Sequence, residues 1–250
     1  MADSNEPRAF ARGFDRANRP PTRSWSLNVV DAFDVSPRMR RVRFSGADLG
    51  EMEWRPGQDL VLSLTANGEI ARRHYTIATR DDKTMEIDFV LHGVSPATNW
   101  ARNARGGSII EAAGPRGRTR INPEAPHHYF LGDETALPGI FAMAESLPAD
   151  ANATILMEVA DEKEKRALHA AAKVHIEWIF RNTPAAPNDL LLNALQRLAP
   201  SADGAHAYLL AETSKVRAMR HWLTERGFVR EQITAEGYWR PGRVGGHDHA

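Results

Sequence analysis

The stretch INPEAPHHYFLGDETALPGI, residues 121–140, separates two sequence patterns and decides the fold. It opens with an Asn-Pro and an Ala-Pro pair, and a residue that precedes proline is disfavoured in a helix. Directly afterwards His128–Leu131 predicts a short strand. Thr135–Ser146 then predicts a helix, with Thr135 as its N-cap and Pro138 in its first turn. We therefore expect a domain boundary within the first six residues of this stretch.

On the N-terminal side of this stretch, hydrophobicity alternates with a period of two. In residues 85–89 every second side chain is apolar, and Glu86 and Asp88 stand between them, which is typical of a strand with one buried face. Turn signals separate several such segments, and Asn67-Gly68 suits a hairpin turn because both residues tolerate positive φ. Short strands at this spacing predict an antiparallel β-barrel domain over residues 24–124.

On the C-terminal side, predicted strands alternate with predicted helices. Strands are predicted at 153–160, 173–180, 205–211 and 233–236, and helices at 189–198 and 213–226. This alternation predicts a parallel sheet with helical crossovers, and hence an α/β domain over residues 125–243. The mixed charges of Asp161–Arg166 predict a solvated loop or helix end. The polar ends, residues 1–23 and 244–250, are predicted to be a flexible arm and a flexible tail.

The composition excludes several classes of function. The chain has 250 residues, no cysteine, and 32 basic against 32 acidic residues. Without cysteine there is no disulfide, thiolate metal site or iron–sulfur cluster, so any redox chemistry requires a bound cofactor. The charge balance argues against nucleic-acid binding, and no apolar run is long enough for a membrane span or a secretory signal. We expect a cytoplasmic protein with no nucleic-acid, membrane or metal partner.

One predicted strand carries an arginine and an aromatic ring at a suggestive spacing. Alternation places Arg73 and Tyr75 of Arg73-His74-Tyr75-Thr76 on the same face. An arginine there could hold a phosphate while the ring packs on a flat heterocycle. An ordinary strand with an exposed arginine is the alternative.

Two further segments place a strand directly before a helix. Asp88–Gly93 is followed by a helix near residues 97–104, whose first N–H groups would favour a pyrophosphate; a plain strand–turn–helix is the alternative. Leu131–Gly139 lies at the carboxyl edge of the predicted parallel sheet, where ligands bind in such folds. It lacks the G-x-G-x-x-G fingerprint, so it predicts at most a weakly held nucleotide.

Taken together in their order along the chain, these segments resemble the siderophore-interacting protein family. Its members are flavin-dependent ferric-siderophore reductases of the wider ferredoxin–NADP reductase superfamily. The resemblance covers roughly residues 25–243. Its matching segments are Arg73–Thr76, Asp88–Gly93, Ala97–Ala101, Gly114–Gly117, Gly132–Pro138 and Gly237–Arg240. It implies an N-terminal FAD-binding barrel and a C-terminal nucleotide-binding α/β domain.

The resemblance also implies which residues form the sites, with the flavin rather than a side chain carrying the chemistry. FAD contacts would come from Arg73, His74, Tyr75, Thr76, Asp88, Val90, Leu91, His92, Asn99, Trp100, Ala101, Tyr238 and Trp239. A pyridine nucleotide would face Asp133, Glu134, Thr135, Ala136 and Glu212. Candidates for attracting an anionic ferric siderophore are Arg55, Arg118, Arg240 and Arg243; for Arg55 and Arg243, ordinary surface charge is the favoured interpretation.

The function implied is transfer of electrons from NADH or NADPH through FAD to a ferric siderophore, with release of ferrous iron in the cytoplasm, by a monomer. One departure affects the donor: Ala211-Glu212 stands where family members usually have Gly-Glu, and reduced ferredoxin is therefore an alternative donor. A flavin or ferredoxin-type reductase with another acceptor stays open as a second hypothesis. A non-catalytic flavin- or siderophore-binding protein is the third.

Overall fold

The computed structural model describes residues 23–66 and 69–242. The predicted arm up to residue 22, the Asn67-Gly68 turn, Arg243 and the predicted tail lie outside the described residues. No helix in the described part of the chain is long and apolar enough to cross a membrane.

The N-terminal half forms a closed antiparallel barrel of six strands, in the order β1-β2-β5-β4-β3-β6. The strands are β1 Ser24–Ser36, β2 Met39–Ser45, β3 Asp59–Ala66, β4 Glu69–Arg80, β5 Thr84–Val90 and β6 Ile109–Arg116. The predicted alternation is confirmed in β5, where Met85, Ile87 and Phe89 are 0% exposed in the barrel core. The period-two pattern therefore defines the inside of the barrel.

A single helix, α1 (Pro96–Asn103), follows β5 and packs against the barrel core. It begins after Ser95, whose Oγ accepts a hydrogen bond of 3.1 Å from Thr98 N. Ala97 and Ala101 face the barrel core. The helix thus lies between the end of β5 and the start of β6.

The C-terminal half forms a five-stranded parallel sheet in the order β11-β10-β7-β8-β9. Its strands are β7 His127–Asp133, β8 Asn152–Val159, β9 Lys173–Phe180, β10 Ala205–Glu212 and β11 Ile233–Trp239. The helices are α2 Leu137–Glu145, α3 Leu190–Leu198 and α4 Thr213–Glu225, and short 3-10 helices span Glu162–Glu164 and Arg230–Gln232. In the barrel half, a further 3-10 helix spans Leu49–Glu51 between β2 and β3. The strand order reverses between β7 and β10, which makes their carboxyl ends the ligand-binding edge expected of such sheets. The predicted fold class, a β-barrel followed by a parallel α/β unit, is confirmed.

The start of α2 differs from the prediction. The helix begins at Leu137 with Ala136 as its N-cap residue. Thr135 is not the N-cap, because its backbone N and its Oγ1 both donate to Asp133 Oδ1 instead, at 3.0 and 2.5 Å. The threonine hydroxyl therefore supports the end of β7 rather than the helix.

The barrel and the sheet pack directly against each other. Helix α2 crosses β4 so closely that a Cβ on Gly139 would lie 2.9 Å from Thr76 Cγ2. On another side, Arg166 Nη1, in the loop after β8, donates to Asp88 Oδ2 at 2.6 Å, and Ser36 Oγ donates to Glu164 Oε2 at 2.5 Å. The solvated loop or helix end predicted for Asp161–Arg166 is therefore wrong in part, since Asp161, Glu164 and Arg166 all contact the barrel, Asp161 through an ion pair of 3.6 Å with Arg38.

Candidate functional site

Tyr75 of β4 belongs to a cluster of aromatic rings in the barrel. Its ring centroid is 4.3 Å from that of Phe89, which lies 5.5 Å from the ring of Trp100 on α1. Burial raises the pKa of the Tyr75 phenol, although nearby Arg73 opposes the shift. The charge of Arg73 therefore acts on the Tyr75 phenol, as expected for two residues on one face, while contact of either residue with a phosphate or a heterocycle stays a prediction.

Thr76 joins the barrel to the last strand of the sheet. It is 9% exposed, and its side chain shares a hydrogen bond with that of Tyr238 on β11. Burial, reinforced by the charge of Glu236, raises the pKa of the Tyr238 phenol. The residue next to Tyr75 is therefore held by both halves of the molecule. The neighbouring His74 interacts with Asp59 of β3, with 3.1 Å between Nδ1 and Oδ1.

The Asp88 carboxylate is fully buried and already occupied. Arg41 donates to it through Nε at 2.6 Å and Nη2 at 2.9 Å, and Arg166 donates at 2.6 Å. This corrects the prediction for the Asp88 side chain, which is closed to a ligand because three hydrogen bonds engage its two oxygens. Further along the chain, Val90 at the end of β5 packs against the core of the sheet, and Leu91, just beyond the strand, packs against the barrel core.

The segment between β5 and α1 is open on its outer side. His92 is exposed, and a Cβ on Gly93, at φ +55°, would meet no atom within 4 Å. Asn99 is also exposed and Trp100 is half-buried. Ala101 is 0% exposed, and its methyl group faces the barrel core. The predicted contact of this residue with a pyrophosphate stays a prediction.

A cavity of about 400 Å³ lies beside α1. It is bounded by the helix, by the end of β3 and by the turn that leads into β6. Its lining residues are Thr65, Pro96, Asn99, Trp100, Asn103, Ala104 and Ser108. Two residues predicted to bind the cofactor, Asn99 and Trp100, therefore contribute to one cavity.

Asp133 organises the carboxyl edge of the sheet. It is 1% exposed at the end of β7, and its Oδ2 accepts hydrogen bonds from Glu212 N at 3.0 Å and from Trp239 Nε1 at 2.9 Å. Burial, with a contribution from the charge of Glu134, raises the pKa of Asp133 to about 6. This carboxylate ties together the ends of β7, β10 and β11.

A chain of buried ion pairs continues from this point along the edge. Both Glu134 oxygens accept hydrogen bonds of 2.6 Å from Arg181, which also contacts Glu158 at 3.3 Å. Lys215 Nζ donates to the two Glu158 oxygens at 2.6 and 2.7 Å. The side chains of Glu158, Arg181 and Lys215 are at most 3% exposed. Sequence reasoning missed these three, although a charge within a buried strand or on a buried helix face signals a partner.

Glu212 is the N-cap of α4. Its carboxylate accepts hydrogen bonds from Ser214 N at 2.9 Å and Lys215 N at 3.2 Å, and also one from Ser214 Oγ. The structure therefore brings Asp133, Glu134 and Glu212 together, as predicted for a nucleotide site, while Ala136 is buried at the start of α2. The backbone N–H groups of Ser214 and Lys215 at the start of α4 are therefore engaged by the protein itself rather than open to a phosphate.

The segments that carry the predicted substrate arginines adjoin one another. Arg55, Arg118 and Arg240 are exposed. Thr119, next to Arg118, donates to Glu236 of β11 at 2.8 Å, and a Cβ on Gly57 would lie 3.1 Å from Thr119 O. Among the described residues, no group of three histidine or acidic side chains could hold a metal ion.

Comparison with known proteins matches the barrel and the parallel α/β half of the chain separately. A model of the siderophore-interacting FAD-binding domain matches residues 60–119, and a siderophore-interacting protein model matches residues 125–242. A siderophore utilization protein from T. fusca is 32% identical, with a TM-score of 0.83 over 92% of this chain and 98% of that one. The chain belongs to the siderophore-interacting protein family.

Two further similar proteins give the range of similarity. SipS from Aeromonas hydrophila is 26% identical, with a TM-score of 0.77 over 90% of this chain and 94% of that chain. Ferric vibriobactin reductase ViuB from Vibrio cholerae is 32% identical over 178 residues, which are 68% of this chain and 65% of ViuB. The match thus spans slightly less than two thirds of that reductase.

In this siderophore-interacting protein the barrel is an FAD-binding domain, and its residues fit that cofactor. A neutral aromatic ring at Tyr75 offers a surface for a flat ring system, and the Gly93 turn leaves open space beside the start of α1. The cavity along α1 is lined by residues of that helix from Pro96 onward. Contact of the individual residues with FAD stays a prediction.

Proposed function

We propose that this protein is a monomeric cytoplasmic reductase that passes electrons from NADH or NADPH through FAD to a ferric siderophore and so releases ferrous iron. The main support for this proposal is the position of Thr76. It lies beside the candidate flavin surface and packs closely against α2 and β11 of the parallel α/β half. The naming of ViuB as a ferric vibriobactin reductase supports the substrate class.

When bound, FAD supplies the ability to accept two electrons and to release them singly. The chain's own part is positioning: Tyr75 packs against Phe89 on one side, and Thr76 is fixed between Tyr238 and Gly139. Both tyrosine phenols stay neutral because burial raises their pKa values. This leaves no buried phenolate to oppose negative charge on a reduced cofactor.

Substrate capture depends on the arginines at the site mouth. Ferric complexes of hard oxygen ligands are often anionic, and Arg118 and Arg240 stand on adjoining exposed segments. We propose that they attract such complexes through long-range charge. Ferrous iron is held less strongly by the same oxygen ligands, so reduction would release it.

The identity of the electron donor has two candidates, a pyridine nucleotide and reduced ferredoxin, and the structure bears on the choice between them. Because Glu212 occupies the N–H groups of α4, and Arg181 and Lys215 are both paired, the sheet edge offers a pyrophosphate little help. This favours reduced ferredoxin as the second candidate donor. Anaerobic stopped-flow reduction of the FAD-loaded protein by NADH, NADPH and reduced ferredoxin distinguishes the donors.

Anaerobic stopped-flow kinetics also test which electron acceptor the reduced protein uses. We expect the reduced protein to reoxidise faster with a ferric siderophore than with ferric citrate, and Arg118→Gln and Arg240→Gln to slow the second-order step at low salt. Equal rates with both iron complexes would overturn the siderophore proposal and leave a general flavin reductase. Binding of flavin and siderophore without turnover by any donor would indicate a non-catalytic binding protein.

A further inference from the structure

His74 of β4 and Asp59 of β3 form a histidine–carboxylate pair. Nδ1 of the imidazole lies 3.1 Å from Oδ1 of the carboxylate. The Asp59 side chain is 8% exposed, whereas the His74 side chain is 28% exposed. A buried carboxylate therefore holds one nitrogen of a ring that solvent reaches. This arrangement orients histidines that transfer protons in catalysis.

The pair adjoins the candidate flavin surface. Asp59 is the partner of Thr76 in the antiparallel ladder, and its charge contributes to the raised pKa of the Tyr238 phenol, which bonds Thr76. His74 and Thr76 are two residues apart on one strand, so their side chains leave the same side of the barrel wall, about 7 Å apart. This is the side on which the parallel α/β half packs, because Thr76 faces Gly139 of α2.

An exposed basic segment passes the same pair. Arg116, at the end of β6, is a ladder partner of Asp59, and a Cβ on Gly117 would lie 3.6 Å from Asp59 Oδ2. Both Arg116 and Arg118 are exposed. An anionic ferric complex attracted by Arg118 would therefore come close to His74.

Release of iron from an oxygen chelator consumes protons as well as electrons. One electron from the reduced cofactor of the proposed function converts iron(III) to iron(II). Each Fe–O bond that then breaks leaves an oxyanion, which can bind iron again until a proton neutralises it. The arginines of the site mouth cannot supply this proton, because a guanidinium group keeps its own. Histidine side chains exchange a proton close to neutral pH.

We propose that His74 is the general acid of iron release and that Asp59 is its positioning residue. His74 Nε2 donates a proton to a catecholate or hydroxamate oxygen as the bond between that oxygen and iron breaks, and water then returns a proton to the imidazole. Asp59 accepts the hydrogen bond from Nδ1 and so favours the charged ring before the transfer. The inference rests on the proposed ferric-siderophore reduction and names the residue that supplies its protons.

The test compares two electron acceptors on the reduced, FAD-loaded full chain without oxygen. A ferric tris-catecholate complex needs protons to release iron, which a chromogenic ferrous chelator records, whereas ferricyanide takes up an electron and keeps its ligands. We expect His74→Gln to slow iron release about 100-fold and to change ferricyanide reduction less than about twofold. Added imidazole should restore iron release in this variant. His175→Gln, which removes an exposed histidine from β9, is the matched control and should behave as wild type.

Two binding measurements separate proton transfer from ligand binding. The Kd of the apoprotein for FAD, and the Kd of the oxidised protein for a gallium(III) tris-catecholate that cannot be reduced, should each stay within about twofold of wild type in His74→Gln. Weaker binding of either ligand would make His74 a binding residue and would overturn the proposal.

The kinetic outcomes separate this inference from the proposed function. Equal iron release by His74→Gln and wild type, equal slowing with both acceptors, or a loss that imidazole does not restore would each overturn the general acid and leave the reductase intact. Wild type that reduces ferricyanide but releases no iron from the ferric complex would instead contradict the proposed function itself.

Discussion

Trp239 donates its indole N–H to the Asp133 carboxylate at 2.9 Å, which links the last strand of the parallel sheet to its first. The two residues are 106 positions apart in the chain. Because Trp239 directly follows Tyr238, the bond also fixes the strand end that reaches Thr76 of the barrel. The nucleotide-type edge and the candidate flavin surface are therefore connected through side chains.

Trp239→Phe should destabilise the protein by about 2 kcal/mol, because a buried carboxylate loses one of its hydrogen-bond donors. The pKa of Asp133 should rise further above about 6, since this hydrogen bond acts to lower it. Urea denaturation measures the free energy of unfolding. Trp222→Phe is the control, because the Trp222 indole N–H has no hydrogen-bond partner among the described residues and packs beside Arg226; an equal loss in both variants would contradict the prediction.

His206 should make folding sensitive to acid. Burial, with a contribution from His128, lowers the pKa of His206 to about 4 from 6.5. The unfolded chain then binds more protons between these values, so this contribution to stability is present above pH 6.5 and is lost as the pH falls toward 4. The full effect is roughly 3 kcal/mol.

Asp133 contributes the opposite slope, because its folded pKa of about 6 lies above the ordinary 3.8. Its share of the stability is present below pH 4 and is lost as the pH rises to 6. We therefore expect a shallow wild-type profile between pH 4 and 6.5. In His206→Gln, unfolding free energies from urea titrations should instead fall with rising pH, and a profile parallel to wild type would refute the assignment.

Arg166→Met should cost about 2 kcal/mol, because it removes a charged hydrogen bond from the buried Asp88 carboxylate. Arg41 remains as the second partner and limits the loss. The control is Arg197→Met, which removes the exposed ion pair with Glu177 and should change stability by no more than about 0.5 kcal/mol. Chemical denaturation of both variants gives the comparison, and equal effects would argue against a structural role for Arg166.

Gly139→Val should slow reduction of the bound flavin without weakening flavin binding. Even a single Cβ at this position would lie 2.9 Å from Thr76 Cγ2, so α2 must move away from the barrel. A displacement of this size between reacting groups can reduce a rate by up to about 100-fold. Stopped-flow reduction and the Kd for FAD measure the two effects, and a Gly50→Ala variant, whose Cβ would make only an ordinary contact of 3.7 Å with Asp82 O, controls for the loss of a glycine.

Ala199→Gly should stabilise the protein by about 1 kcal/mol, because a left-handed backbone is less strained at glycine. Ala199 follows α3 with φ at +44°. In contrast, Ala218→Gly inside α4 should destabilise by about 1 kcal/mol. Thermal unfolding of the two variants should shift in opposite directions, and a loss of stability in Ala199→Gly would contradict the strain argument.

The sequence predicted those features that depend on local periodicity. The alternation around Phe89 and the strand-to-helix change after Asp133 each have a signal within about ten residues, and both elements lie where they were expected. The partners of Asp88 could not be predicted in this way, because Arg166 lies 78 positions away in a run that reads as solvated charge. Side-chain pairs across the two halves depend on how the halves pack, and a single sequence carries no periodic signal for that.

The Asp88–Arg166 bond also determines how separable the two halves are. Asp88 lies directly before Phe89, the residue beneath Tyr75, so the barrel's aromatic floor is anchored by a loop that belongs to the other sheet. A barrel excised on its own would retain a fully buried carboxylate with one arginine fewer. In a chimaera of two relatives, the segment around Arg166 would therefore have to come from the same parent as the barrel. The crossover point that preserves the barrel thus lies after Arg166, and not at the domain boundary in residues 121–126.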